Sequence, residues 1–330
     1  MEKNDKFQTD PSLKLMDQVQ QALIYYQYSY RTEQSYCRWI KEYIAFLGRK
    51  NVPRNRFQKE IGSFLTFLSR ERKLSRASQK QALNAIAFLY KRVFDVGLDV
   101  DIEPVKIRKK LTLPVVMTKR EVKMVLSHLK GNHLLMARLL YGSGLRLMEC
   151  LRLRVQNLDF EQNRIYINPL KGGKNRNVIM PKRIWQDLYN QMENVRKLHT
   201  KDLATGYGEA VLQDSIHQKN EGMEKEFTLQ YVFPSKKMKK DPRTGLKYRP
   251  HVLESGLQKA VKTAVKRSGI NKPISCNTFR HSFATHMLEN NVSIYNVKEF
   301  MGHADVKMTE IYTHVMEKNE DLILSPLDLL

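Results

Sequence analysis

Arg280, His303 and Tyr312 are residue types that together can attack a phosphodiester. They stand in two runs, Asn277-Thr-Phe-Arg-His-Ser-Phe-Ala-Thr-His-Met-Leu and Met301-Gly-His-Ala-Asp-Val-Lys-Met-Thr-Glu-Ile-Tyr-Thr-His. A phenol, with a pKa near ~10, is a poor general base, but it becomes a usable nucleophile once fixed cations neutralise its target. Arg280 would be the cation, His303 the donor at neutral pH and Tyr312 the source of the attacking oxygen. Two more residues fit the same chemistry. Arg146 follows Tyr141-Gly-Ser-Gly and leads a helix, where a guanidinium fork can face a phosphate. Read alone, it fits a surface arginine better. Lys171 heads the glycine hairpin Lys171-Gly-Gly-Lys-Asn-Arg. There it is either simply solvated or, if the tip folds over a ligand, a proton donor to an alkoxide leaving group. Gly142-Ser-Gly144 lacks the third glycine of a dinucleotide fingerprint. His281 and His286 lie five apart on different helix faces, so no zinc pair and no other metal site is expected.

These residues need elements to hold them. The chain has 330 residues, 42% of them apolar, which is enough for two cored domains. The first, residues 1–103, reads as all-helical. Tyr36, Trp39, Ile40, Tyr43, Ile44 and Leu47 follow helical spacing up to Gly48. Further stripes run Phe57, Ile61, Phe64, Leu65, Leu68 and Ala82, Leu83, Ile86, Leu89, Tyr90, Val93, the latter capped by Ser75 or Ser78. The tyrosines of Tyr25-Tyr-Gln-Tyr-Ser-Tyr30 fit core packing better than base stacking. Residues 104–114, bounded by Pro104 and Pro114, read as an extended basic linker. The second domain, 115–330, opens on a capping box, Thr118 with Glu121. Its clear β element is a hairpin over 164–180, and Phe227 to Phe233 reads as a short strand. Residues 183–200 read as a helix and 201–226 as an irregular insertion. Asn277 is expected to cap the helix carrying Arg280, and Asp305 the helix carrying Tyr312. The apolar tail 317–330 suits docking on a neighbouring subunit.

The charge points to a polyanion. Lys and Arg number 57 against 34 Asp and Glu, a net charge of +23, and such surfaces bind nucleic acid through counterion release. From Arg31 to Arg92 there are 15 Lys or Arg and four Glu, in a helical region where one-sided charge forms a stripe. Candidate DNA contacts are Arg49, Lys50, Arg54, Arg56, Arg76 and Lys80 there, Arg108, Lys109 and Lys110 in the linker, and Lys174 and Arg176 in the hairpin. Neither a membrane span nor a signal-peptide core is legible, and Cys37, Cys150 and Cys276 make no disulfide frame. A cytoplasmic protein associated with the bacterial nucleoid is expected.

Taken together, Gly142-Ser-Gly-Leu-Arg146-Leu-Met-Glu149, Lys171-Gly-Gly-Lys, Arg280-His-Ser-Phe-Ala-Thr-His-Met-Leu and Met301-Gly-His303 with Tyr312 resemble the tyrosine recombinase (phage integrase) family. Within it the chain is most similar to integron integrases, through Tyr141-Gly-Ser-Gly-Leu-Arg-Leu-Met-Glu-Cys and Asp202-Leu-Ala-Thr-Gly-Tyr-Gly-Glu. The resemblance implies a mainly α fold with a small antiparallel sheet. A helical SAM-like core-binding domain and an α+β catalytic domain would form a C-shaped clamp on DNA. It also implies roles. Arg146 and Arg280 would clamp the scissile phosphate, Tyr312 form a 3′-phosphotyrosyl link, and Lys171 protonate the 5′-oxygen. His303 would hydrogen-bond the phosphate, and Glu149 would set the site from behind. Neither metal, ATP nor any other cofactor is implied, because arginines stabilise the charge and the phosphotyrosine conserves the bond energy. The implied partners are a folded single-stranded attC-type site and a double-stranded attI-type site. A homotetramer on DNA, monomeric when free, would integrate and excise gene cassettes.

One position departs from the resemblance. Where the family has His-x-x-Arg, this chain has Asn277, which can donate to a phosphate but cannot act as a base near neutral pH. Reduced activity is the expectation. The stretch Val211-Leu-Gln-Asp-Ser-Ile-His-Gln also lacks the proline and aromatic residues expected of an integron insertion.

Overall fold

A computed structural model of the protein describes residues 9–48, 57–96, 113–168, 175–210, 225–240, 245 and 247–313. It divides into two units, Met1–Leu111 and Thr112–Leu330, each with its own apolar core. The expectations placed on Arg49, Lys50, Arg54, Arg56, Arg108, Lys109, Lys110, Lys171, Lys174, residues 211–218 and the tail 317–330 fall outside the described residues.

In the first unit the helical stripes become helices α1 (Leu15–Tyr25), α2 (Tyr30–Phe46), α3 (Phe57–Arg70) and α4 (Arg76–Phe88). Ser29 caps α2 by accepting from the Thr32 N–H. Of the two serines ahead of α4, Ser75 is the cap, accepting from the Ser78 N–H. A π-turn, Leu89–Val93, continues α4. Ile40, Tyr43, Ile61, Phe64, Leu68, Ile86, Leu89 and Tyr90 are fully buried. Each such side chain stabilises the bundle by ~1.5–3 kcal/mol. The two buried phenols, Tyr43 and Tyr90, meet hydroxyl to hydroxyl at 3.3 Å, so neither is left without a partner. Tyr26 and Tyr28 pack edge-on against Phe88, which places half of the tyrosine run, partly buried, against the core. Arg76 and Lys80 sit one turn apart on the exposed side of α4.

The second unit is mainly helical around a three-stranded antiparallel sheet. Its first helices are α5 (Lys119–Ser127), α6 (Gly131–Gly142) and α7 (Leu147–Leu151). The sheet order is β1 (Leu158–Asp159), β2 (Arg164–Ile167), β3 (Arg176–Ile179), with Ile165 opposite Val178. Then come α8 (Trp185–Ala204), a small hairpin of β4 (Lys239–Lys240) and β5 (Lys247–Tyr248), α9 (Glu254–Ser268), α10 (Cys276–Glu289), α11 (Ile294–Met301) and α12 (Lys307–Glu310). The Thr118–Glu121 capping box forms as read, and Lys272 ion-pairs with Glu121 at 2.8 Å.

Three local readings change. The segment from Phe227 is no strand: it forms a 3-10 turn, Phe227–Leu229, and a single bridge from Tyr231 to Arg154. Its backbone bonds, Val155 N–H to Gln230 O and Val232 N–H to Leu153 O, run to a loop, so no ladder can extend. Helix α8 continues into the expected insertion. There Asp202 forms a buried two-pronged pair with Arg249, at 2.5 and 2.6 Å. Ser275, not Asn277, caps α10, leaving Asn277 exposed at its second residue. Helix α10 is buried on more than the face that carries Phe279 and Phe283. Arg280, Ser282, Thr285 and His286 are buried too, so it runs through the middle of the unit. Ser282 accepts from the Met117 N–H, and the Tyr141 hydroxyl meets His286 Nδ1 at 2.8 Å.

Candidate active site

The C-terminal end of α11 organises the site. The last carbonyls of a helix have no intrahelical donor and carry the negative end of its dipole. Here three in succession accept from three different arginines. Phe300 O accepts from Arg176 Nε at 3.0 Å, Met301 O from Arg280 Nη2, and Gly302 O from Arg146 Nη2 at 2.9 Å. Arg280 also donates from Nη1 to Gly144 O. Gly302 turns the chain in the left-handed region (φ +58°), and a Cβ there would meet the Arg176 guanidinium at 3.0 Å. The close approach of backbone to arginine therefore needs glycine.

Glu149 ties the cluster together. Arg176 grips it with two nitrogens at 3.0 and 2.7 Å, Arg146 Nη1 donates at 2.9 Å and the Arg146 backbone N–H at 2.8 Å. Burial would raise this carboxyl, but the hydrogen bonds and charges of Arg176 and Arg146 hold it down at about 2. A depressed carboxylate stabilises the fold above its unfolded pKa, near ~4.3, and the contribution fades as pH falls towards 2. With Glu149 only 17% exposed, the pair is worth about 3 kcal/mol at neutral pH. Glu149→Ala is expected to lower the stability of this unit by about 3–5 kcal/mol at pH 7, since it strands two arginines. The loss should shrink towards pH 3. Denaturant unfolding at both pH values measures it, and an equal loss at both would refute the ion-pair account.

The other residues gather from separate elements. Arg280 is 6% exposed. Burial first, then the neighbouring Arg146, pulls its pKa down to about 10, so it stays cationic. His303 follows Gly302, with Nε2 3.5 Å from Arg280 Nη2 and Nδ1 2.9 Å from Thr309 Oγ1. Burial and the Arg280 and Arg146 charges lower it to about 4, which makes it neutral at pH 7. Arginine can only donate, so here Nε2 accepts from Arg280 and Nδ1–H donates to Thr309 Oγ1; the other tautomer, with Thr309 donating to Nδ1, offers Nε2–H to an anion. Tyr312, just past α12, is 4% exposed and packs with Phe283 and Met301. Burial raises its pKa, while Arg280 and Arg146 pull it back. Its hydroxyl lies 2.9 Å from His281 Nδ1.

The structure thus gathers Arg146, Arg280, Glu149, His303 and Tyr312. Asn277 stays exposed. Arg176, expected on DNA, has a side chain only 9% exposed, its fork committed to Glu149 and Phe300 O. It acts as an internal brace, which no sequence signal at the end of a basic hairpin distinguishes from a DNA contact. The spacing from His286 gives His281 no role as a metal ligand. The available signal was its spacing of four residues from Asn277, which puts both on one face of α10.

Gly144 carries the geometry between Arg146 and Arg280. It has φ +63°, and a Cβ would lie 2.5 Å from the Phe283 ring. Gly144→Ala is expected to cost about 2–4 kcal/mol of stability through left-handed strain and overpacking. Thermal unfolding against native protein measures it; an unchanged midpoint would contradict the packing described.

Comparison with known proteins bears on the family of the chain. Residues 115–319 match the phage integrase family, and residues 15–99 match the phage integrase N-terminal SAM-like domain. The chain is 38% identical over 319 residues to an integrase/recombinase of Escherichia coli, covering 97% of this chain and 94% of that one. It is 30% identical over 260 residues to the tyrosine recombinase XerA of Thermococcus onnurineus (strain NA1), 77% of each chain. Among solved structures, the XerH site-specific recombinase bound to a palindromic difH substrate, in a post-cleavage complex, has the same fold. The TM-score is 0.57 at 18% identity, over 93% of this chain and 83% of that one. With its helical N-terminal domain, its mixed second unit and these matches, the chain belongs to the phage integrase family of tyrosine site-specific recombinases.

Proposed function

We propose that the gathered residues cut and rejoin DNA through a 3′-phosphotyrosine intermediate, and that the chain is an integron integrase moving gene cassettes between attC-type and attI-type sites. The carrying observation is the arginine cluster at the end of α11, beside Tyr312. Its cations are oriented by backbone carbonyls before any anion arrives, and such preorganisation favours an associating phosphate whose charge grows in the transition state. Arg146 and Arg280 take the non-bridging oxygens. The Tyr312 oxygen attacks phosphorus as the 5′-oxygen leaves, and Lys171 protonates that oxygen. His303 donates to the phosphate, and Glu149 and Arg176 hold Arg146 in place. Arg76 and Lys80, exposed on α4, suit phosphate contacts from the first domain. Four subunits on two sites would exchange strands, the tail 317–330 docking between neighbours, and the chain would be monomeric when free.

The chemistry is tested with a nicked suicide duplex. The expected product is a covalent adduct whose peptide carries the nucleotide on Tyr312, identified by mass spectrometry. Bound DNA without an adduct would overturn the reading. The integron assignment rests on Asp202-Leu-Ala-Thr-Gly-Tyr-Gly-Glu and is tested by recombining an attC-type hairpin with a duplex attI-type site. Success on duplex pairs with failure on the hairpin would make the protein a Xer or phage-type recombinase.

A further inference from the structure

We infer that His281 is the proton acceptor for Tyr312, filling the role left open by Asn277. This rests on the phosphotyrosine reading above. The attacking phenol must lose a proton as its oxygen bonds to phosphorus, and three features mark His281 as the recipient. Its Nδ1 lies 2.9 Å from the Tyr312 hydroxyl, within direct transfer distance. It sits on α10, one turn after Asn277 and beside Arg280, so the helix that fixes the phosphate clamp also fixes the base. Burial first, and then the Arg280 charge, lowers its pKa below the ordinary 6.5, keeping the ring neutral and able to accept at pH 7. His303, the other imidazole nearby, is poorly suited: its Nδ1 is engaged by Thr309 and its Nε2 turns to Arg280.

The step balances without a further reactant. Tyr312 Oη bonds to phosphorus, its proton passes to His281 Nδ1, and the bond from phosphorus to the 5′-oxygen breaks with that oxygen protonated from Lys171. Reversal of the same transfers serves ligation. The groups facing His281 are Arg280 from its own helix, Tyr312 from beyond α12 and His303 from the α11–α12 connection. Without DNA, an imidazolium here would be buried beside the Arg280 cation and be disfavoured. The bound phosphate supplies the anion that makes it tolerable, so proton transfer is favoured only when substrate is in place.

The test measures single-turnover adduct formation on the nicked duplex across pH 6–9. His281→Gln is expected to slow it by about 10²–10⁴-fold at pH 7 with DNA affinity unchanged in a gel shift, and added imidazole should restore part of the rate. The native rate should be level from pH 7 to 8, whereas the variant should gain about tenfold per pH unit, as solvent must then ionise the phenol. Asn277→His on the native background is expected to change the rate by less than about threefold, the base being already present. A His281→Gln enzyme with native rate, a deficit that does not vary with pH, or a gain above about tenfold from Asn277→His would each overturn the assignment. A native chain that binds DNA and forms no adduct at any pH would instead remove the phosphotyrosine reading on which it stands.

Discussion

Tyr312→Phe is expected to abolish covalent attachment to DNA while leaving DNA binding within about threefold of native. Removing a nucleophile that works with its neighbours as a unit costs about 10⁵–10⁶-fold in rate, so the adduct should fall below detection. The fold should tolerate the change. The Tyr312 ring packs with Phe283, Met301 and Val297, and phenylalanine keeps those contacts. What is lost is the hydroxyl's bond to His281, worth about 1 kcal/mol net. Binding should survive because Arg146 and Arg280 are held by Glu149 and by carbonyls of Gly144, Met301 and Gly302, not by the phenol. Denaturing gels of the nicked-duplex reaction, beside a gel shift, measure the two quantities. A persistent adduct would move the nucleophile elsewhere.

The second large effect is expected from Arg280→Lys, a change that keeps the charge. Arg280 spans two carbonyls, Gly144 O and Met301 O, on separate segments, and its planar fork retains donors for an anion. A lysine ammonium is a single point with three donors and cannot bridge both carbonyls while facing a phosphate. One buried carbonyl would lose its partner, costing about 1–3 kcal/mol of stability. Adduct formation should fall about 10³-fold or more, the range for removing an arginine from a phosphoryl transition state. DNA affinity, spread over many basic contacts, should fall far less. Equal losses in rate and affinity would show Arg280 acting in ground-state binding alone.

Much of the site was legible because its side chains are chemically unusual company. A phenol, an imidazole and two arginines, one of them just after a glycine turn, have few joint uses outside phosphate chemistry. The fold was legible where periodicity was strong, as in the stripe from Tyr36 to Leu47 that became α2. It failed where a segment's fate depended on a distant partner. The run from Phe227 has strand-like residues, but the chain beside it is a loop, so only one bridge forms. Ser275 and Asn277 are both good caps, and the turn geometry before α10 chose the serine.

By itself, the sequence determined the residue types of the reaction, the helical character of both domains and the basic surface, because these follow from local pattern and composition. Tertiary structure decided which groups touch. It set Arg176 on Glu149 as a brace and laid three arginines on successive carbonyls of α11. It also put His281, not Asn277, against the Tyr312 hydroxyl. Those pairings cross from 21 to more than 150 residues of chain. Spacing along a sequence carries no information about contacts that only the packing of α10 and α11 brings within hydrogen-bond distance.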